Sequence, residues 1–98
     1  MHLLDEKFLL DLLRKYGEEE QLLQTSGECG ELIAVIQNYL RAIKYKHRSE
    51  TLGDVLAEAV DVFFMVQQIR IMSPAMFDYL CIQKETKVRT KVLKGQLK

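Results

Sequence analysis

The chain encodes an all-α protein, and three features of its 98 residues say so. Apolar side chains recur at three-and-four spacing, as in Phe8, Leu9, Leu12 and Leu13, the period of one buried helix face. Breakers are scarce. One proline and five glycines leave long stretches of Leu, Glu, Lys, Gln and Ala, all strong helix formers. Alternating apolar and polar runs joined by hairpin dipeptides such as Asn-Gly are absent, so nothing directs the chain into strands.

Four helices follow in order. The first is expected over roughly residues 5–16, with Gly17 ending it or turning the chain. A second, long helix starts near Glu18 and runs to about Tyr45. Its acidic start (Glu18, Glu19, Glu20) and basic end (Arg41, Lys44, Lys46) both suit the helix dipole. Gly27 and Gly30 fall inside it, each costing roughly 1 kcal/mol relative to alanine. Either the helix bends there or another segment approaches its backbone. Residues 46–50 form a polar loop, and Ser49 or Thr51 caps a third helix over about residues 50–72. Ser73 is the expected cap of the fourth, which Pro74 opens; it reaches toward Gly95, and its second half is strongly basic. Short connections make neighbouring helices antiparallel, as in a four-helix bundle. There is no repeat, low-complexity tract or linker, so residues 1–98 form a single domain.

Composition excludes several classes. The 14 basic and 14 acidic side chains cancel, which argues against nucleic acid held by bulk electrostatics. No apolar run approaches the ~18 residues of a membrane span. The start, Met1-His2-Leu3-Leu4-Asp5, lacks the basic-then-apolar order of a secretory signal. A soluble, cytoplasmic protein is expected, with neither membrane nor nucleic acid as partner. Cys29 and Cys81 are too few and too far apart for a disulfide scaffold or a four-cysteine zinc site. A chain this short buries only roughly 60–65% of its unfolded surface. The apolar run from Val60 to Val66, broken only by Asp61, needs cover on more than one side. A homodimer or higher homo-oligomer is therefore expected.

The anomaly is acidic. Glu58 and Asp61, three apart on one side of the third helix, are the only polar side chains between Val55 and Val66. Carboxylates so flanked sit at or in the core, where they need a cation, hydrogen bonds or a raised pKa. Glu28 and Glu31 repeat the spacing on the second helix, ahead of Leu32, Ile33, Val35, Ile36, Tyr39 and Leu40. Antiparallel neighbours would bring the two pairs together, and four like charges repel unless a hard cation lies among them. Mg²⁺ or Mn²⁺ suits such oxygen ligands. Zinc does not, because His2 and His47 stand alone and the cysteines are dispersed. On spacing alone, a metal site and a set of ion pairs with Arg41 or Lys44 explain the acids equally well.

Tyr16-Gly17, Glu20-Gln21-Leu22, Glu28-Cys29-Gly30-Glu31-Leu32 and Glu58-Ala59-Val60-Asp61-Val62 together resemble the MazG-like nucleotide pyrophosphohydrolases, all-α enzymes related to the dimeric dUTPases. The shared signature is Glu-x-x-Glu on one helix and Glu-x-x-Asp on the next, and the resemblance covers roughly residues 13–68. It implies a helical bundle assembled as a homodimer or homotetramer. It also implies Mg²⁺-dependent cleavage of a (d)NTP into a monophosphate and pyrophosphate, in the service of nucleotide-pool housekeeping. Carried over by position, Glu28, Glu31, Glu58 and Asp61 are the metal ligands. Glu31 and Glu58 are the candidate catalytic acids, with Glu31 one of the carboxylates able to take the proton of the attacking water. Lys84 and Arg89 resemble the family's phosphate-binding cations, and Lys84, Lys87 and Lys91 form one stripe at helical spacing. Two positions depart from the family. Gly27 and Ala57 stand where many members carry further glutamates, which bears on turnover. The rival expectation is a non-catalytic metal- or nucleotide-binding protein, or a helical interaction module.

Other residues read as structural. Nothing beside Cys29 in the sequence would activate its thiol, so it is expected as a half-buried filler. His47 sits in a solvated basic loop. Phe63, Phe64 and Met65 are expected in the core or a subunit contact, as are Tyr39, Tyr45 and Tyr79. No Walker-type glycine loop and no readable Ser-His-Asp order is present.

Overall fold

A computed structural model of the chain describes residues 4–46 and 50–95. They form α1 (Glu6–Tyr16), α2 (Glu18–Tyr45), α3 (Leu52–Met72) and α4 (Pro74–Leu93), with no strand among the described residues. The all-α expectation holds. His2, His47 and Ser49 lie outside the described residues. None of the four helices is long and apolar enough to cross a membrane.

Local chemistry sets the helix ends. Asp5 is the N-cap of α1, its Oδ1 accepting from the backbone N–H of Lys7 at 2.9 Å and of Phe8 at 3.4 Å. Gly17 closes α1 and precedes α2 at φ 87°, a conformation that favours glycine. The α3 helix begins two residues later than expected, because Thr51 forms a reciprocal cap with Asp54. The Thr51 N–H donates to Asp54 Oδ2 at 2.8 Å and the Asp54 N–H to Thr51 Oγ1 at 3.3 Å. Those bonds hold the Asp54 carboxyl below its ordinary value of 3.8, since they favour the charged form. The expectation for Ser73 needs correcting: its side chain makes no capping bond. Pro74 occupies the first position of α4 and has no N–H to satisfy, while the Ser73 N–H closes α3 by donating to the Arg70 carbonyl at 3.1 Å.

The α2 helix is continuous through Gly27 and Gly30, and a Cβ at either would meet nothing within 4 Å. Neither glycine marks a close approach inside the chain. Helices α2 and α3 form the principal packed pair, α1 packs on both, and α4 touches α3 alone. The core is small: Leu9, Val35, Ala42 and Met65 are its buried apolar residues. The expected apolar face of α1 is only partly buried, with Leu9 inside, Leu12 and Leu13 half-buried and Phe8 exposed. Gln21, Thr25 and Gln68 are buried too; the Thr25 hydroxyl donates to the Gln21 carbonyl at 2.7 Å. The Gln68 amide has no hydrogen-bond partner among the described residues.

Arg70 ties three helices together. Its Nε and Nη2 donate to the two carboxylate oxygens of Asp78 on α4, each at 2.9 Å, and its Nη1 to Glu6 on α1 at 3.4 Å. This fork holds the Asp78 carboxyl below its ordinary value of 3.8 and fixes how α4 leaves α3.

Leu9→Ala is expected to cost about 2–5 kcal/mol in urea unfolding, as for other truncations in a packed core. Thr51→Ala is expected to cost about 0.5–2 kcal/mol through loss of the cap. Equal losses, or a near-neutral Leu9→Ala, would contradict the packing of α1.

Candidate metal centre

One carboxylate spacing on each of two antiparallel helices creates the site. Glu28 and Glu31 lie one turn apart on α2, and Glu58 faces them from α3. Each offers an oxygen, and the three oxygens lie within 4.8 Å of one another. Opposite ligands of one octahedral Mg²⁺ stand about 4.2 Å apart, so a small side-chain rotation closes the trio on an ion. Every donor is a carboxylate oxygen, the set that hard cations such as Mg²⁺ and Mn²⁺ select.

The electrostatics favour an ion there. Glu28 and Glu58 are half-buried and Glu31 is exposed. Glu28 Oε2 and Glu58 Oε2 are buried with no hydrogen-bond partner, a costly condition for a carboxylate. Burial, and then the charges of Glu31 and Asp61, raise both carboxyls above their ordinary value of 4.5. Asp61 is exposed and stands outside the trio, yet is near enough for its charge to act on both glutamates. The alternative of neutralising ion pairs does not arise among the described residues. Arg41 Nη1 donates to Asn38 at 3.4 Å, and the Lys44 ammonium lies 5.4 Å from the Tyr45 ring centroid. No cation is paired with Glu28, Glu31, Glu58 or Asp61 among the described residues.

Two open clefts flank the trio and share Glu31. One, of about 420 Å³, is lined by Gln24, Gly27 and Glu28 among others. The other, of about 360 Å³, is lined by Asn38, Asp54, Ala57 and Glu58 among others. Gly27 and Ala57, the two departures from the family pattern, thus line the clefts beside the acids. Asn38 and Asp54 were not picked out from the sequence. Helical spacing would have found them, since Asn38 is seven residues after Glu31 and Asp54 four before Glu58.

The cations of α4 do not join the site within one chain. The α4 helix makes no contact with α2. Arg89 is held by Glu85, with Nε and Nη2 donating to one carboxylate oxygen at 3.0 and 2.8 Å. Lys84 and Lys87 line a groove along α4 itself. Cys29, between the two α2 ligands, is half-buried as expected. Met65 is buried, whereas Phe63, Tyr45 and Tyr79 are exposed. No protein-family model, curated protein or solved structure matches the chain.

Glu58→Gln removes a half-buried charge that no cation among the described residues offsets. At pH 7 without divalent cation, this variant is expected to melt above the parent. Added Mg²⁺ should raise the melting temperature of the parent and leave the variant unchanged; the opposite pattern would remove Glu58 from the site.

The pH dependence has a definite sign. Glu28 and Glu58 titrate above 4.5 in the folded chain. Their contribution to metal-free stability is therefore full below that value and lost as pH rises through the raised one. Asp54 and Asp78, depressed below 3.8, contribute above that value and lose their contribution as pH falls through the depressed one. Urea unfolding across pH 4–7 should therefore show Glu58→Gln flattening the loss of metal-free stability on the rise above 4.5. An unchanged slope would contradict the assignment.

Proposed function

We propose that the chain is a divalent-cation-dependent nucleoside triphosphate pyrophosphohydrolase, converting a (d)NTP and water into a (d)NMP and pyrophosphate. The observation that carries this reading is the meeting of Glu28, Glu31 and Glu58, with two buried carboxylate oxygens left unpartnered. These acids stand at the positions of the MazG-like signature. Glu28, Glu31, Glu58 and Asp61 hold Mg²⁺, or Mn²⁺ in its place. A cation bound there supplies Lewis acidity toward phosphate oxygens. Glu31, exposed and lining both clefts, takes the proton of the attacking water. Glu58, which lines one of the two clefts, is the second candidate acceptor. Lys84, together with Lys87, Lys91 and Arg89, offers positive charge to the outer phosphates. Because α4 stays away from α2, that contribution calls for a homo-oligomer. Nucleotide-pool housekeeping is the role that such a reaction serves.

A second reading, binding without turnover, is favoured by Gly27 and Ala57 at the cleft walls. The space at Gly27 is open, so the lack of a carboxylate there is not imposed by crowding.

Product analysis on a panel of NTPs and dNTPs separates the two. The hydrolase reading expects monophosphate and pyrophosphate only when Mg²⁺ or Mn²⁺ is present. Asp61→Asn should lower kcat/KM by at least about 10–100-fold, the loss typical even of groups that merely support metal ligands. Diphosphate and orthophosphate would contradict the reading. A folded, cation-binding protein that forms no product would leave the binding reading.

A further inference from the structure

The folded chain is too open for its mass. It exposes 7861 Å², whereas a compact monomer of 11.4 kDa exposes about 5,800 Å². Its Cα radius of gyration is 16.8 Å, against about 13 Å for a compact chain of this length. The surplus of about 2,000 Å² matches what each partner loses in an obligate homodimer.

That surface is apolar and has a definite place. On α2, Ile33, Ile36, Leu40 and Ile43 form an exposed stripe at three-and-four spacing; on α3, Leu52, Leu56 and Phe63 form another. In each helix the stripe follows the acid by two residues, as Ile33 follows Glu31 and Phe63 follows Asp61. An antiparallel pair therefore carries both stripes on one face and the acids on the other. The α4 helix is the complementary piece. It is 20 residues long and has no buried residue, whereas helices in proteins draw most of their stability from packing one face. Met76, Tyr79, Leu80 and Ile82 are all more than half exposed and surround its first turns, so one neighbouring helix cannot cover them. The net charges of the two pieces are also opposite in sign. Helices α2 and α3 together carry eight carboxylates and three cations, while α4 carries four cations and two carboxylates.

We infer that α4 is an exchanged arm: held out by the Arg70–Asp78 fork, it docks on the apolar α2–α3 face of a second copy of the chain. This deepens the assembly part of the proposed function and does not depend on catalysis.

The test is intermolecular. A nitroxide on Cys81, in a Cys29→Ser background, is co-refolded with isotope-labelled unmodified chain. Broadening of Ile36, Leu40 and Leu56 signals in the labelled copy is expected. Leu80→Glu should weaken association by at least about 100-fold in sedimentation, because it places an unpaired charge in the contact. Its own chain should stay helical, since Leu80 is 53% exposed. Broadening confined to α4, or an assembly that survives Leu80→Glu yet is lost in Leu40→Glu, would overturn the arm while leaving a homo-oligomer. A single-chain parent would overturn both. Phosphohydrolase assays on the same samples report separately on the chemistry.

Discussion

Glu28 Oε2 and Glu58 Oε2 are removed from water, and no hydrogen-bond partner among the described residues compensates them. A fold can accept one such group by holding it protonated. Here Glu31 stands against both, and the charge of Asp61 bears on them as well, so like-charge repulsion adds to the burial cost. A hard cation removes both penalties at once, and protonation removes only part of them. The metal reading and the raised carboxyl pKa values thus have one origin, the burial and crowding of like charges between α2 and α3.

The same pair of helices carries a second unmet demand on its opposite side. Four buried apolar residues make a thin core for helices of 28 and 21 residues. The side chains that would complete it face outward on the stripes through Leu40 and Leu56. Acids on one face and apolar residues on the other give the helical hairpin two chemically distinct sides, one suited to association and the other to binding. Arg70 links these roles mechanically, because its fork to Asp78 sets the direction in which α4 leaves the hairpin.

Much of this was legible in the sequence. Scarce breakers and three-and-four spacing gave four helices, and Gly17 and Pro74 gave two of the junctions. The carboxylate pairs were visible because Glu58 and Asp61 interrupt an otherwise apolar run. What sequence spacing could not supply was the third dimension. Both acids of each pair share a helix side, yet only Glu28, Glu31 and Glu58 bring oxygens within 4.8 Å of one another, and Asp61 stands outside that trio. The spacing of Phe8 marks it as apolar-face, but with no partner over that part of α1 it stays exposed. The freedom of α4 was also hidden, since a short connection through Ser73 reads the same whether the next helix folds back or projects.

Manganese electron paramagnetic resonance tests directly whether the acids form a cation site. Titrating the parent protein with Mn²⁺ at neutral pH should show the free-ion signal suppressed until the sites fill, then restored by excess Mg²⁺. Glu58→Gln should lose the suppression while its helicity is retained. A parent protein that leaves the free Mn²⁺ signal undiminished at every concentration would contradict the account, and the carboxylate cluster would then be an electrostatic strain without a ligand.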